Sequence, residues 1–180
     1  YSIMIYNIDQ DDAESRAKEI SLLLLDVDGV LTDGRLYFSN SGEEFKAFHS
    51  LDGHGIKMLK QAGIEVGIIT GRSSALLEKR AADLGIELLY QGREDKLNVL
   101  DEIISSRGIA KSSIAYVGDD LPDLPVLNCV GLGFSVPGGH PTIKKSVHAI
   151  TAYSGGMGAV REVTDFILTS QHKMESFLNS

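Results

Sequence analysis

Asp26 and Asp28 directly follow a run of four leucines, Leu22 to Leu25, and Gly29 follows them. A short apolar run is typical of a strand buried on both faces of a sheet, and a glycine after it lets the chain turn away. Two carboxylates at the end of a buried strand are costly unless positive charge lies among them. This spacing predicts a cation site at the end of a sheet.

Other polar residues end later apolar segments. Thr70-Gly71-Arg72 ends a second predicted strand, Lys96 lies beyond a third, and Asp119 ends a fourth. In open α/β sheets, ligands bind beyond the carboxyl ends of the strands, so these residues are expected to meet Asp26. Aspartate oxygens, with a backbone carbonyl and water, are the ligands that Mg²⁺ prefers.

The residues at these strand ends suit the transfer of a phosphoryl group. Asp26 can attack phosphorus and form an aspartyl-phosphate. Thr70 can hydrogen-bond a phosphoryl oxygen, and Lys96 can neutralise its charge. Asp28 can protonate the leaving oxygen and then deprotonate the attacking water. Taken alone, Thr70 could equally be a helix N-cap, and Lys96 could equally be a surface residue. The prediction therefore depends on all of these residues occurring together in this order.

Strands and helices alternate along the chain. Helices are predicted at 11–20, 52–62, 73–84, 95–106, 121–128, 142–146 and 158–170, and strands at 22–26, 64–70, 87–90, 113–118, 131–135 and 148–151. Such alternation predicts an α/β fold, a three-layer Rossmann-like parallel sheet with helices on both faces.

The pattern of apolar residues on either side of Ser39–Gly42 predicts a β-hairpin over residues 35–48 with a four-residue loop. Leu36, Phe38, Phe45 and Phe48 would be costly if they stayed in water on a protruding ribbon. We therefore expect one domain, 1–180, in which 35–48 is an oligomerisation hairpin and 171–180 is a polar tail.

Composition narrows the class of protein. The formal net charge of −8 argues against a nucleic-acid partner, whereas a bound metal still permits an anionic substrate. The single cysteine, Cys129, excludes an intrachain disulfide and fits a reducing compartment. No apolar run is long enough to span a bilayer, and the acidic start does not fit a signal peptide. We expect a cytoplasmic protein without a membrane or nucleic-acid partner.

The motifs DVDGV at 26–30, ITGR at 69–72, Lys96 and GDDLPD at 118–123 resemble, in this order, the haloacid dehalogenase superfamily. The resemblance implies that Asp26 is the nucleophile and Asp28 the general acid and base. It implies Mg²⁺ held by Asp26, the main-chain carbonyl of Asp28 and Asp119, and a phosphoryl group bound by Thr70 and Lys96. An aspartate at position 28 implies hydrolysis, and the spacing of the motifs leaves no room for a cap domain.

Within this superfamily the chain is similar to the capless family of 3-deoxy-D-manno-octulosonate (KDO) 8-phosphate phosphatases. The similarity includes TDG at 32–34, FHSLDGHGIKML at 48–59 and GGMGAVRE at 155–162. It implies a step of lipopolysaccharide biosynthesis, a homotetramer joined through the hairpins, and a C-terminal tail able to cover a neighbouring site. The residues it implies for contact with the sugar acid are Asp28, His49, Ser50, Leu51, Asp52, Gly53, Lys57, Gly71, Arg72, Arg80 and Lys96.

Three alternatives remain open at this point. One is a related phosphatase acting on a nine-carbon 2-keto acid 9-phosphate, which would share the same catalytic residues. Another is a signalling receiver domain, which also forms an aspartyl-phosphate, although its acidic residues occur in a different order. The third is an inactive scaffold, which the filled catalytic positions disfavour.

Overall fold

The computed structural model describes residues 3–179. Its strands are β1 (Ile5–Tyr6), β2 (Leu22–Leu25), β3 (Tyr37–Phe38), β4 (Glu44–Phe45), β5 (Glu65–Ile69), β6 (Leu88–Tyr90), β7 (Ile114–Val117), β8 (Leu132–Ser135) and β9 (Ala149–Ile150). Its α-helices are α1 (Gln10–Lys18), α2 (Ser50–Gln61), α3 (Ala75–Leu84), α4 (Lys96–Arg107), α5 (Leu124–Leu127), α6 (Pro141–Ser146), α7 (Ala159–Ser170) and α8 (Glu175–Leu178).

The four-leucine strand β2 is an interior strand of a seven-stranded sheet of order β1-β9-β8-β7-β2-β5-β6. It pairs in parallel with β5 on one side and β7 on the other. Because successive side chains of a strand point to opposite faces, Leu23 and Leu25 enter one core cluster while Leu22 and Leu24 enter a second. Burial on both faces explains why the strand is apolar at every position.

The helices cover both faces of this sheet. Buried residues of α1, α2, α3 and α7 pack in the cluster that contains Leu23, whereas those of α4, α5 and α6 pack in the cluster that contains Leu22. The predicted three-layer α/β fold is therefore confirmed. None of the helices between residues 3 and 179 combines the length and apolarity needed to cross a bilayer.

The structure departs from the predicted elements at β1, at the start of α2 and in the tail, among other places. The edge strand β1 was not predicted, and it pairs antiparallel with β9. Helix α2 begins two residues before its predicted start, because the Nδ1 atom of His49 caps it by accepting the Leu51 N–H at 3.2 Å. The predicted polar tail contains the short helix α8, and Phe177 in this helix and Met174 just before it pack against the core. The last residue of the tail, Ser180, lies outside the described residues.

The hairpin is present but short. Its strands β3 and β4 have two residues each, and the pairing of Phe38 with Glu44 encloses the five residues 39–43, one more than predicted. Phe38 and Phe45 are 58% and 54% exposed, whereas Phe48 packs against the core. Only this hairpin and α2 form regular structure between β2 and β5 in the described chain, so no cap domain is inserted there.

Candidate active site

Four strand ends of the sheet converge on one cleft of about 660 Å³. Asp26 follows β2, Thr70 follows β5 and Asp119 follows β7 by two residues, while Lys96 begins the helix after β6. The residues that line the cleft are Asp26, Asp28, Gly34, Thr70, Gly71, Arg72, Glu94, Lys96, Asp119, Asp120, Pro122 and Asp123. The structure thus brings together all of the residues predicted for catalysis and metal binding.

Lys96 is the centre of a buried ionic cluster. Its side chain is 4% exposed, and Nζ donates to Asp26 Oδ1 at 3.0 Å and to Asp123 Oδ1 at 2.7 Å. The buried Tyr116 hydroxyl donates to the same Asp123 oxygen at 2.6 Å. Tyr116 was not among the predicted site residues, because its hydroxyl gives no signal within an apolar strand.

Asp123 is fully occupied by these partners. Its second carboxylate oxygen accepts the backbone N–H groups of Asp119 and Asp120, at 3.0 and 3.2 Å, in a capping box with Asp120. Asp123 therefore supports Lys96 and the turn that carries Asp119. Asp26 and Asp119 are the carboxylates that remain available to a ligand.

The cluster holds more negative than positive charge. Oxygens of Asp26, Asp119 and Asp123 lie within 4.8 Å of one another, against a single lysine. Burial, and then the charge of Asp123, raises the pKa of Asp26 well above its usual value and that of Asp119 to about 6. Burial by itself would lower the pKa of Lys96, but the charges of Asp26 and Asp123 outweigh it and raise this pKa. Crowded carboxylate oxygens with excess negative charge fit a divalent cation such as Mg²⁺.

We expect the affinity for Mg²⁺ to fall as the pH is lowered through about 6, the pKa of Asp119 without metal. Below this pH the metal competes with a proton for the carboxylate, so binding releases protons. Because the folded pKa of Asp119 is raised, its ionisation destabilises the metal-free fold above pH 6, and this cost disappears toward pH 4. Calorimetric titration with Mg²⁺ at pH 5 and pH 8 measures the effect; equal affinities at the two pH values would contradict it.

Asp28 lies in a second ionic group, which also includes Glu44 and Lys46 of the hairpin and Arg72. Its Oδ1 is 3.2 Å from Lys46 Nζ, and its Oδ2 is 3.7 Å from Arg72 Nε. Glu44 in β4 contacts both cations, at 3.2 Å from Lys46 and 2.9 Å from Arg72. Lys46 was not predicted, since nothing in its local sequence indicates that it reaches Asp28.

Close glycine contacts fix the loop after Asp28. Gly29 has a φ of +87°, and a Cβ added to it would lie 1.9 Å from Asp119 Oδ2. A Cβ added to Gly155 would lie 1.8 Å from the Gly29 carbonyl oxygen, and the Gly156 N–H donates to the Val30 carbonyl at 3.1 Å. Gly155 and Gly156, which were singled out only by the family resemblance, therefore pack directly against the loop that follows Asp26 and Asp28.

The predicted sugar-acid contacts fall into two groups within one chain. The first group, Asp28, Gly71, Arg72 and Lys96, lines the cleft. The other group lies around the start of α2 and the middle of α3, next to Phe48, outside the residues that line the cleft; its members are His49, Ser50, Leu51, Asp52, Gly53, Lys57 and Arg80. Their contact with a substrate remains a prediction.

Asp52 and Arg80 of this outer group contact other segments of the chain. Buried Asp52 accepts the Arg161 backbone N–H at 2.8 Å and thereby ties α2 to α7. Burial raises the pKa of Asp52, against the lowering effect of this hydrogen bond. The Arg80 guanidinium lies 5.8 Å from the centre of the Phe48 ring, within the range of a cation–π contact.

The fold and the acidic cleft define the class of haloacid dehalogenase-like hydrolases, and the model of that family matches residues 89–163. Within this class, the chain belongs to the family of 3-deoxy-D-manno-octulosonate 8-phosphate phosphatases. It is 49% identical over 165 residues to the enzyme of this name, KdsC, from Yersinia pestis, a match that covers 92% of this chain and 88% of that protein. Identity to KdsC of Escherichia coli K12 is 48% over 164 residues, 91% of this chain and 87% of that protein.

A solved structure extends the similarity to three dimensions. The phosphatase of the same name from Moraxella catarrhalis, in complex with a magnesium ion, a phosphate ion and a KDO molecule, superposes with a TM-score of 0.93 at 44% identity. The match covers 95% of this chain and 98% of that chain. The two folds therefore agree over nearly their whole lengths.

Proposed function

We propose that this protein is a Mg²⁺-dependent phosphatase that hydrolyses KDO 8-phosphate to KDO and phosphate, a step of lipopolysaccharide biosynthesis. The observation that carries the proposal is the cluster of buried Asp26 and Lys96 with half-buried Asp119 at the strand ends. Support comes from 49% identity to the Yersinia pestis phosphatase and from the likeness to a relative solved with magnesium, phosphate and KDO.

In this proposal the cleft positions the phosphoryl group. Asp26, Asp119 and the main-chain carbonyl of Asp28 would hold Mg²⁺, which when bound offsets the charge of the phosphate and the carboxylates. Lys96 Nζ supplies a further positive charge beside Asp26. The Thr70 hydroxyl oxygen accepts the Arg72 N–H at 3.3 Å, which leaves its proton free to donate to a phosphoryl oxygen.

The reaction itself takes two displacements at phosphorus. The Asp26 carboxylate attacks, the bond from phosphorus to the sugar oxygen breaks, and Asp28 gives its proton to that oxygen. Water then attacks phosphorus, Asp28 takes a proton from that water, and the bond from phosphorus to the Asp26 oxygen breaks. Phosphate leaves, and both aspartates return to their starting states.

We further propose that the active form is a homotetramer of single-domain chains, 1–180, in the cytoplasm. Half-exposed apolar side chains on the hairpin, residues 35–48, favour association because they would otherwise stay in water. A neighbouring chain could then complete each cleft, with the tail, 171–180, as a cover and the outer group around His49 and Arg80 as the sugar-acid contacts. The arginines supply forked donors for the carboxylate of the substrate.

Replacing Phe38 and Phe45 together by serine should reduce the tetramer to smaller species. Both side chains are more than half exposed in the single chain, so the change removes interface area without opening the core. Light scattering after size-exclusion chromatography measures the mass, and Glu43→Gln, at an exposed position of the same hairpin, is the matched control. A double variant that remains tetrameric would exclude the hairpin as the main contact.

A panel of phosphate esters tests the proposed substrate. We expect Mg²⁺-dependent phosphate release with the highest kcat/KM for KDO 8-phosphate, compared with nine-carbon 2-keto acid 9-phosphates and simple sugar phosphates. Faster turnover of the nine-carbon ester would overturn the substrate assignment. A stable phosphoprotein that does not turn over would indicate a receiver domain instead.

A further inference from the structure

Lys46 is a lysine with an unusual environment. Its side chain is only 5% exposed, although it lies one residue beyond the short strand β4 of a protruding hairpin. Lysine side chains are rarely buried unless they are paired. The Nζ atom lies 3.2 Å from both Asp28 Oδ1 and Glu44 Oε1, so the burial of this cation coincides with contact to the proposed general acid.

The ionic group around Lys46 constrains Asp28 from two sides. Lys46 faces one carboxylate oxygen at 3.2 Å and Arg72 faces the other at 3.7 Å, while Glu44 contacts both cations. While Asp28 is ionised, two carboxylates alternate with two cations, so this group is balanced in charge, whereas the cluster around Asp26 carries a net negative charge. Rotation of the Asp28 carboxyl group would break at least one of these contacts.

We propose that Lys46 is a positioning residue that holds the Asp28 carboxyl group where it can protonate the leaving oxygen. The inference rests on the proposed function, because it assigns a proton donor to that reaction. It gives the hairpin a second role: strand β4 carries Glu44 and leads directly to Lys46, so the placement of the hairpin determines the placement of the acid.

The dependence of kcat/KM on the leaving group distinguishes a positioning role of Lys46 from a merely structural one. A sugar alkoxide is a poor leaving group and needs a proton, whereas p-nitrophenolate leaves without one. General acid catalysis contributes on the order of 10²-fold or more to such a step. We therefore expect Lys46→Met to lower kcat/KM for KDO 8-phosphate on the order of 10²-fold and to change kcat/KM for p-nitrophenyl phosphate little. This parameter suits the test because it covers the steps up to formation of the phosphoenzyme.

Companion variants sharpen the comparison. The quantity to compare is kcat/KM for KDO 8-phosphate divided by kcat/KM for p-nitrophenyl phosphate. Glu44→Gln, which removes one partner of Lys46, should lower this ratio, but by less than Lys46→Met does. Lys46→Arg, which keeps the positive charge, should recover part of that ratio. Glu43→Gln, at an exposed neighbouring position, should leave it unchanged. Thermal unfolding and mass by light scattering, measured for each variant, show whether the hairpin and the assembly are preserved.

Equal losses for the two esters in folded Lys46→Met would overturn the positioning role, as would a raised KM for KDO 8-phosphate with kcat unchanged, which indicates substrate binding. If Lys46→Met does not fold, Glu44→Gln serves for the same comparison, and an unchanged ratio there also overturns the proposal. Failure of the wild-type protein to hydrolyse either ester with Mg²⁺ would contradict the proposed function, and the positioning role with it.

Discussion

Asp26→Asn is expected to abolish Mg²⁺-dependent phosphate release, with a loss on the order of 10⁴-fold or more, as is typical when a nucleophile is removed. The amide is a poor nucleophile and cannot supply the carboxylate oxygen that the metal needs. The fold should survive, because burial already raises the pKa of Asp26 and the charged form is the costly one. Without metal, Asn at this position should therefore leave the melting temperature unchanged or raised.

Phosphate release and thermal unfolding, each with and without Mg²⁺, test both halves of this prediction. Asp101→Asn is a suitable control, since Asp101 is exposed on α4 and does not line the cleft. Residual activity near that of the wild type would remove Asp26 as the nucleophile. A variant that unfolds even in the presence of Mg²⁺ would show that the carboxylate is needed for the fold itself.

The second large effect is expected for Lys96→Met, and it concerns stability as well as turnover. The change leaves the buried carboxylates of Asp26 and Asp123 without their shared cation. Removing one partner of a buried ion pair typically costs about 3–5 kcal/mol. Phosphate release should also be lost, because the phosphoryl group loses a positive charge beside the nucleophile.

Urea unfolding in EDTA measures the free energy of unfolding of this variant. The double variant Lys96→Met/Asp123→Asn is expected to regain a large part of the lost stability, because it removes one uncompensated charge, while activity stays absent. A stability loss below about 1 kcal/mol in the single variant, as for a surface pair, would contradict the central place given to Lys96.

Short buried strands explain why much of the fold was predictable. The apolar run Leu22–Leu25 and its later counterparts mark the parallel strands, and chain order then places Asp26, Thr70 and Asp119 at one edge. Strand β1 could not be predicted in the same way, because two residues carry no periodicity and their position depends on pairing with β9.

The rest of the site depends on contacts between segments far apart in the chain. Tyr116 and Lys46 act through single atoms that meet Asp123 and Asp28 only after folding, and their neighbours in sequence do not distinguish them from ordinary strand and hairpin residues. The predicted sugar-acid contacts show a second limit of prediction from sequence. Motif similarity assigns His49 and Arg72 to the same substrate, whereas in one folded chain they line different pockets.

The contact between Gly29 and Gly155 has a consequence for protein engineering. Since even a methyl group at either position would overlap atoms about 2 Å away, a library that varies both positions should return glycine almost alone among active clones. Changes of substrate preference would then have to come from side chains farther out, such as Glu94 at the rim of the cleft. The surface that selects the molecule can therefore be altered while the loop that carries out the chemistry stays unchanged.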